Sequence, residues 1–149
     1  MSEQFELTIP GKPVAKGRPK FTVRSGKPIA YTPKKTANFE NLVKHEAYQI
    51  FDTPIKGPVM LIVQFYLPRP KRIIWKTKPM PCIFTEKKPD LTNLVKSVED
   101  GLNGVAFNDD SQISILTVTK RYHGMNNEYY KQQDGTPLKP MTKIIIQKI

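Results

Sequence analysis

The sequence predicts an α+β fold: a small mixed sheet with two principal helices, in a single domain spanning 1–149. Three observations lead there. Apolar residues recur near the helical period in two separate stretches, 36–51 and 91–103. Strand-like runs stand at 4–9, 59–67, 113–122 and 142–149. The length of 149 residues suits one domain and leaves little room for a second.

Each element has its own signature. QFELTI at 4–9 alternates polar and apolar residues, as a half-buried strand does. Residues 12–35 carry eight basic side chains and no acid, with Lys16, Arg18, Lys20 and Arg24 among them. Their Gly and Pro spacing, and the turn signal at Ser25–Gly26, suggest a basic loop holding a hairpin. Phe39, Leu42, Val43, Ala47 and Ile50 give the first helix its apolar face. VMLIVQFYL at 59–67 is almost continuously apolar, the pattern of a central strand covered on both faces. Residues 69–88 form a long, poorly patterned excursion with seven basic residues and one acid, expected to be partly mobile. Leu91, Leu94, Val95, Val98 and Leu102 share one face of the second helix, and Asn93, Lys96 and Asp100 the opposite one. Gly104 follows it as a terminating glycine.

Composition narrows the function. With 24 Lys plus Arg against 13 Asp plus Glu the net charge is +11, which makes nucleic acid the first partner to consider. One cysteine, Cys82, precludes an internal disulfide, and with two histidines no Cys/His zinc cluster can form. No segment approaches the ~20 apolar residues of a membrane span, and MSEQFELTIPGKP lacks a signal-peptide run, so a cytosolic location is expected. GxSxG, Walker A and dinucleotide glycine patterns are absent, which leaves serine hydrolase, NTPase and oxidoreductase chemistry unsupported.

The acids are concentrated. Residues 89–112 hold Asp90, Glu99, Asp100, Asp109 and Asp110 against Lys96, a net charge of −4, directly after the +6 window of 69–88. Cations that hold phosphates beside carboxylates that hold a hard metal ion are the charge layout of a metal-dependent nuclease. The bland alternatives are helix starts and solvated helix faces, both of which favour acids.

The segment KKPDLTNLVKSVEDGLNGVAFNDDSQI resembles the RusA family of Holliday-junction resolvases, phage-associated endonucleases that cut four-way DNA junctions. Asp90, Asn93, Lys96, Asp100, Asp109–Asp110 and Gln112 carry the pattern. The likeness extends over most of residues 4–122, with its specific part confined to 88–112. It implies a homodimer with one active site per subunit, Mg²⁺ as cofactor with Mn²⁺ able to substitute, and branched DNA as substrate. Neither an organic cofactor nor a membrane is expected.

Residue by residue, the resemblance makes Asp90 and Asp110 metal ligands and Lys96 an electrostatic helper at the phosphate. Asp90 could equally be a helix cap, and Lys96 an i,i+4 partner of Asp100. In an extended chain Asp109 and Asp110 face opposite ways, so one direct ligand is expected from the pair. The family pattern selects Asp110, with Asp109 behind it or in a turn. Asn93 and Asp100 would support the site. Thr92 departs from the family's D-x-D-N, because a neutral hydroxyl stands where a second carboxylate is usual. Arg69, Lys71 and Arg72, with Lys16, Arg18, Lys20 and Arg24, are candidate DNA contacts. Phe21 and Tyr31 among these cations would suit stacking on unpaired bases, or would anchor the hairpin to the core. The expected activity is paired nicking of a four-way junction. Thr92 motivates a rival, a structure-selective DNA-binding protein of the same fold with a weak or inactive metal site. A basic protein that binds RNA or duplex DNA for structural purposes is a third reading.

Overall fold

Period-2 and period-3.6 patterns become nine elements in the computed structural model, which describes residues 3–149. They are β1 (Gln4–Pro10), β2 (Lys20–Arg24), β3 (Lys27–Tyr31), α1 (Lys34–Tyr48), β4 (Val59–Leu67), β5 (Ile83–Phe84), α2 (Leu91–Leu102), β6 (Ile113–Tyr122) and β7 (Met141–Lys148). Five strands form a mixed sheet in the order β1-β7-β4-β6-β5, and β2 and β3 form a separate ribbon. The architecture is α+β, as the sequence implies.

Leu7 and Ile9 of β1, Leu61 and Val63 of β4, and Ile144 and Ile146 of β7 are buried, while their alternate neighbours are half-buried or exposed. That alternation marks one face of the sheet as the core. The two helices pack on each other and supply the rest of it, α1 through Phe39, Val43 and Ala47, α2 through Leu94, Val98 and Leu102. Their crossing is close. A Cβ at Gly101 would lie 2.8 Å from Val43 Cβ and 2.9 Å from the Glu40 carbonyl oxygen, so only glycine fits there. β4 is central, antiparallel to β7 and parallel to β6, and α2 lies in the crossover between the parallel pair. Met60, Ile62 and Gln64 are only half-buried, so this strand is covered fully on one face rather than on two.

Two regions differ from the sequence pattern in detail. Ser25 (φ 51°) and Gly26 (φ 75°) turn the chain between β2 and β3, a pair of left-handed residues of the kind that a two-residue hairpin requires. All ten strand residues of this ribbon are exposed, with Phe21 at 72% and Val23 at 71%, so Phe21 and Tyr31 are not core anchors. The excursion over 69–88 contains a short 3₁₀ turn at Lys71–Ile73 and the two-residue β5. Met80 is buried within it and bridges Met125. Among the described residues no helix is long and apolar enough to cross a membrane.

Candidate active site

The amphipathic pattern of α2 decides what its outer face presents. With Leu94, Val95, Val98 and Leu102 turned inward, Asn93 and Lys96 are exposed and Asp100 is half-buried. Asp90 occupies the N-cap position with extended backbone (φ −67°, ψ 140°), yet its side chain makes no capping hydrogen bond. The exposed carboxylate is therefore uncommitted.

The chain just before the ribbon is stitched across both helices. The Lys16 amide donates to the Asn93 carbonyl oxygen at 2.8 Å, and Ser97 Oγ donates to the Val14 carbonyl oxygen at 2.7 Å. On the α1 side, Thr36 Oγ1 donates to the Ala15 carbonyl oxygen and accepts from the Gly17 amide. Pinned in this way, the strap delivers Arg18 to an open cleft of about 500 Å³ that it shares with Lys88, Pro89, Asp90 and Asn93.

Beside the cleft runs a line of alternating charge. Lys16 Nζ lies 2.7 Å from Glu40 Oε1 and 3.0 Å from Asp100 Oδ2. Lys96 Nζ lies 3.4 Å from Asp100 Oδ1 and donates to Asp110 Oδ2 at 3.0 Å. Burial is the largest single influence on Lys16 and disfavours its charge, but the bonds to Glu40 and Asp100 together raise its pKa. The hydrogen bond to Asp110 is the main cause of the raised pKa of Lys96. Glu99, one turn after Lys96, has a raised pKa because burial disfavours its charge, with Asp110 and Asp100 adding to the effect against Lys96. Glu99 stands in the acid-rich window but was not singled out by motif. Its i,i+3 spacing from Lys96 was the available signal.

The two adjacent aspartates are sorted by the turn that carries them. Asp109 caps the 3₁₀ turn Asp110–Gln112, its Oδ2 accepting from the Ser111 amide, and this bond holds its pKa below the usual value. Asp110 points instead to Lys96. Gln112 holds the turn in place. Its Oε1 accepts from the Asn108 and Asp109 amides, and its Nε2 donates to the carbonyl oxygens of Ile55 and Gly57. The spacing of the two aspartates and the glutamine thus has a structural cause.

Lys120, which no motif flagged, donates from Nζ to the Lys87 carbonyl oxygen at 2.6 Å and to that of Pro89 at 2.9 Å. It ties the turn that carries Asp90 to β6. Among the candidate DNA contacts, Lys20, Arg24, Lys71 and Arg72 are exposed. Arg69 turns inward instead and is 6% exposed. Its Nε donates to the Ile73 carbonyl oxygen and its Nη1 to that of Pro81, with the guanidinium 5.4 Å from the Trp75 ring centre. Those bonds commit Arg69 to bracing its own loop rather than a phosphate. Lys16, expected as a DNA contact, is likewise engaged by Glu40 and Asp100.

Among the described residues, no three His, Cys, Asp or Glu side chains are placed to hold a metal together. Asp90, Asp110, the Thr92 hydroxyl and the Asn93 carboxamide do offer oxygen donors, the kind that Mg²⁺ and Mn²⁺ take. These donors match such an ion in chemical kind; Asp90 and Asn93 share the cleft, while Asp110 is engaged by Lys96.

A family model described as endodeoxyribonuclease RusA matches residues 10–130. The uncharacterized protein YqaN of Bacillus subtilis (strain 168) is 37% identical over 124 residues, which cover 79% of this chain and 87% of that protein.

Proposed function

Because the chain belongs to the RusA family of endodeoxyribonucleases, a nuclease family of Holliday-junction resolvases, we propose that it is a divalent-metal-dependent enzyme that nicks four-way junctions in pairs as a homodimer. Residues 1–149 act as one endonuclease domain. The observation that carries this reading is the uncapped carboxylate of Asp90 in a cleft with Arg18 and Lys88. There the carboxylate can attract a cation while the two basic side chains attract a phosphate.

The roles follow from position. Arg18 and Lys88 hold the phosphodiester against the cleft, and Asn93 orients it. Asp90 and Asp110 would hold the ion, with Asp109 keeping Asp110's turn in shape. Bound Mg²⁺ or Mn²⁺ supplies a polarised water and charge neutralisation at the phosphorus. Lys96 restrains Asp110 and brings a positive charge to the negative charge that develops on the phosphate oxygens. Asp100 and Lys16 hold Lys96 from behind.

Thr92 and the absence of a three-carboxylate cluster among the described residues favour one rival, a junction-binding protein whose metal site is too weak to cut. A mobile four-way junction incubated with Mg²⁺, Mn²⁺ or EDTA separates the two. Nicks on two opposed strands with either metal and none in EDTA are expected. Tight junction binding with no product under any condition leaves the binding protein.

A further inference from the structure

Strand β6 is hydrogen-bonded to β4 along one side. On its other side β5 covers only Tyr122 and Arg121, which pair with Ile83 and Phe84. From Ile113 to Lys120 the outer edge has no strand beside it among the described residues. Edges of this kind are ordinarily kept short, charged or bulged, because their free N–H and C=O groups invite another strand. Here residues 113–119 read ISILTVT, without a charge, a glycine or a proline, in a chain that carries 24 Lys plus Arg and 13 Asp plus Glu. The pairing with β4 slips by one residue at the very start of β6 and is regular from Ile115 onward. Ile115 and Leu116 are 48% and 46% exposed, and Phe84, at the same edge, is 71% exposed.

We propose that this edge is the contact with a second copy of the chain, β6 pairing antiparallel with β6 of its partner about a two-fold axis. Charge selects the occupant. Two molecules of net charge +11 repel each other over most of their surfaces, and a neutral strand edge is where they can approach. The same neutrality offers a DNA backbone no cation, and it offers a charged peptide no counter-charge. An antiparallel edge is also self-complementary, since a two-fold rotation brings each donor of one strand to an acceptor of the other.

The contact deepens the paired-nicking reading and rests on it only for its purpose. The turn that bears Asp110 runs directly into β6. Pairing centred near Leu116 would therefore hold the two Asp110 carboxylates on opposite sides of the axis, roughly 30–40 Å apart at ordinary strand and 3₁₀ rises. Two sites at a fixed separation and related by a two-fold are what symmetric incision of opposed strands needs.

Sedimentation of the whole chain gives the first readout, with twice the 17.1 kDa chain mass expected for the wild type at tens of micromolar. Ile115→Lys with Leu116→Lys should yield monomers with unchanged circular dichroism, because both side chains lie outside the core. Hydrogen exchange of the wild type covers the case in which that variant misfolds. The amides of 115–119 should be protected in concentrated protein and exchange faster on dilution below the dimer constant. On a cruciform plasmid the lysine variant should release nicked circles where the wild type releases linear product. A monomeric wild type, a dimer that survives both lysines, or 115–119 amides protected only when DNA is added would each overturn the proposal. A wild type that dimerises through this edge and cuts no junction would instead overturn the nuclease reading and leave the contact standing.

Discussion

Lys120 Nζ reaches the Pro89 carbonyl oxygen at 2.9 Å, so a side chain on the central sheet fixes the turn that presents Asp90. Lys120→Met keeps the length of the side chain and removes both of its hydrogen bonds. It should raise the metal concentration for half-maximal junction cleavage several-fold while leaving junction affinity in EDTA within about two-fold. Lys120→Arg should recover most of the loss, since a guanidinium can serve two carbonyls. Equal loss of binding and cleavage would make Lys120 an ordinary phosphate contact.

Asp110→Asn should abolish cleavage and preserve or improve junction binding in EDTA, because it removes a ligand and a repulsive charge together. Lys96→Ala should slow cleavage by about 10²–10³, the scale of losing one electrostatic stabiliser of the transition state. Gel shifts and single-turnover cleavage on the same junction read both effects. Full activity of the Asp110→Asn protein would remove Asp110 from the metal site.

Cations that touch phosphates reveal themselves through salt. Replacing Arg18 and Lys20 together by alanine should flatten the plot of log affinity against log salt by about 2, at ~0.9 per duplex phosphate contact. An unchanged slope would place 12–35 outside the DNA interface.

Glu99 has a folded-state pKa above its ordinary 4.5, so its ionisation is disfavoured by folding. Stability contributed by such a group is present below the unfolded pKa and is lost as pH rises through the folded value. Glu99→Gln should therefore melt higher than the wild type at pH 7, with the difference closing below about pH 4. Thermal melts at both pH values check the sign, and a lower Tm at pH 7 contradicts it.

Thr92→Asp adds a carboxylate two residues after Asp90 and should lower the Mg²⁺ requirement for cleavage. The added acid also lies in a region already rich in carboxylates, so the same protein should melt lower in EDTA. An unchanged requirement, with Asp109→Asn raising it sharply, would identify Asp109 as the missing ligand.

Periodicity made most of the fold legible. The burial of α2 follows from five apolar residues at helical spacing, and Ser25–Gly26 announces the ribbon through its backbone needs alone. Extended alternation predicts that Asp109 and Asp110 part company, but it is the 3₁₀ turn capped by Asp109 that separates them. What escaped depends on partners far away in sequence. β5 is two residues long and exists because Arg121 and Tyr122 lie beside it. Arg69 looks like a surface cation until Ile73 and Pro81 present their carbonyls to it, and Lys120 reaches back 31 residues to Pro89.

The basic ribbon leaves the body and returns to it at one place. Gly17, before it, bonds to Thr36, and a Cβ on that glycine would come within 3.0 Å of Pro33 Cγ on the returning chain. A five-residue strand pair attached at one end reaches about 17 Å from that attachment. Lys20, Arg24 and Lys27 are therefore carried together on one paired ribbon. On the proposed reading, a branched substrate would meet these cations on a support of their own, apart from the ion-pair line that joins Glu40 to Asp110 through the strap, α2 and the 3₁₀ turn.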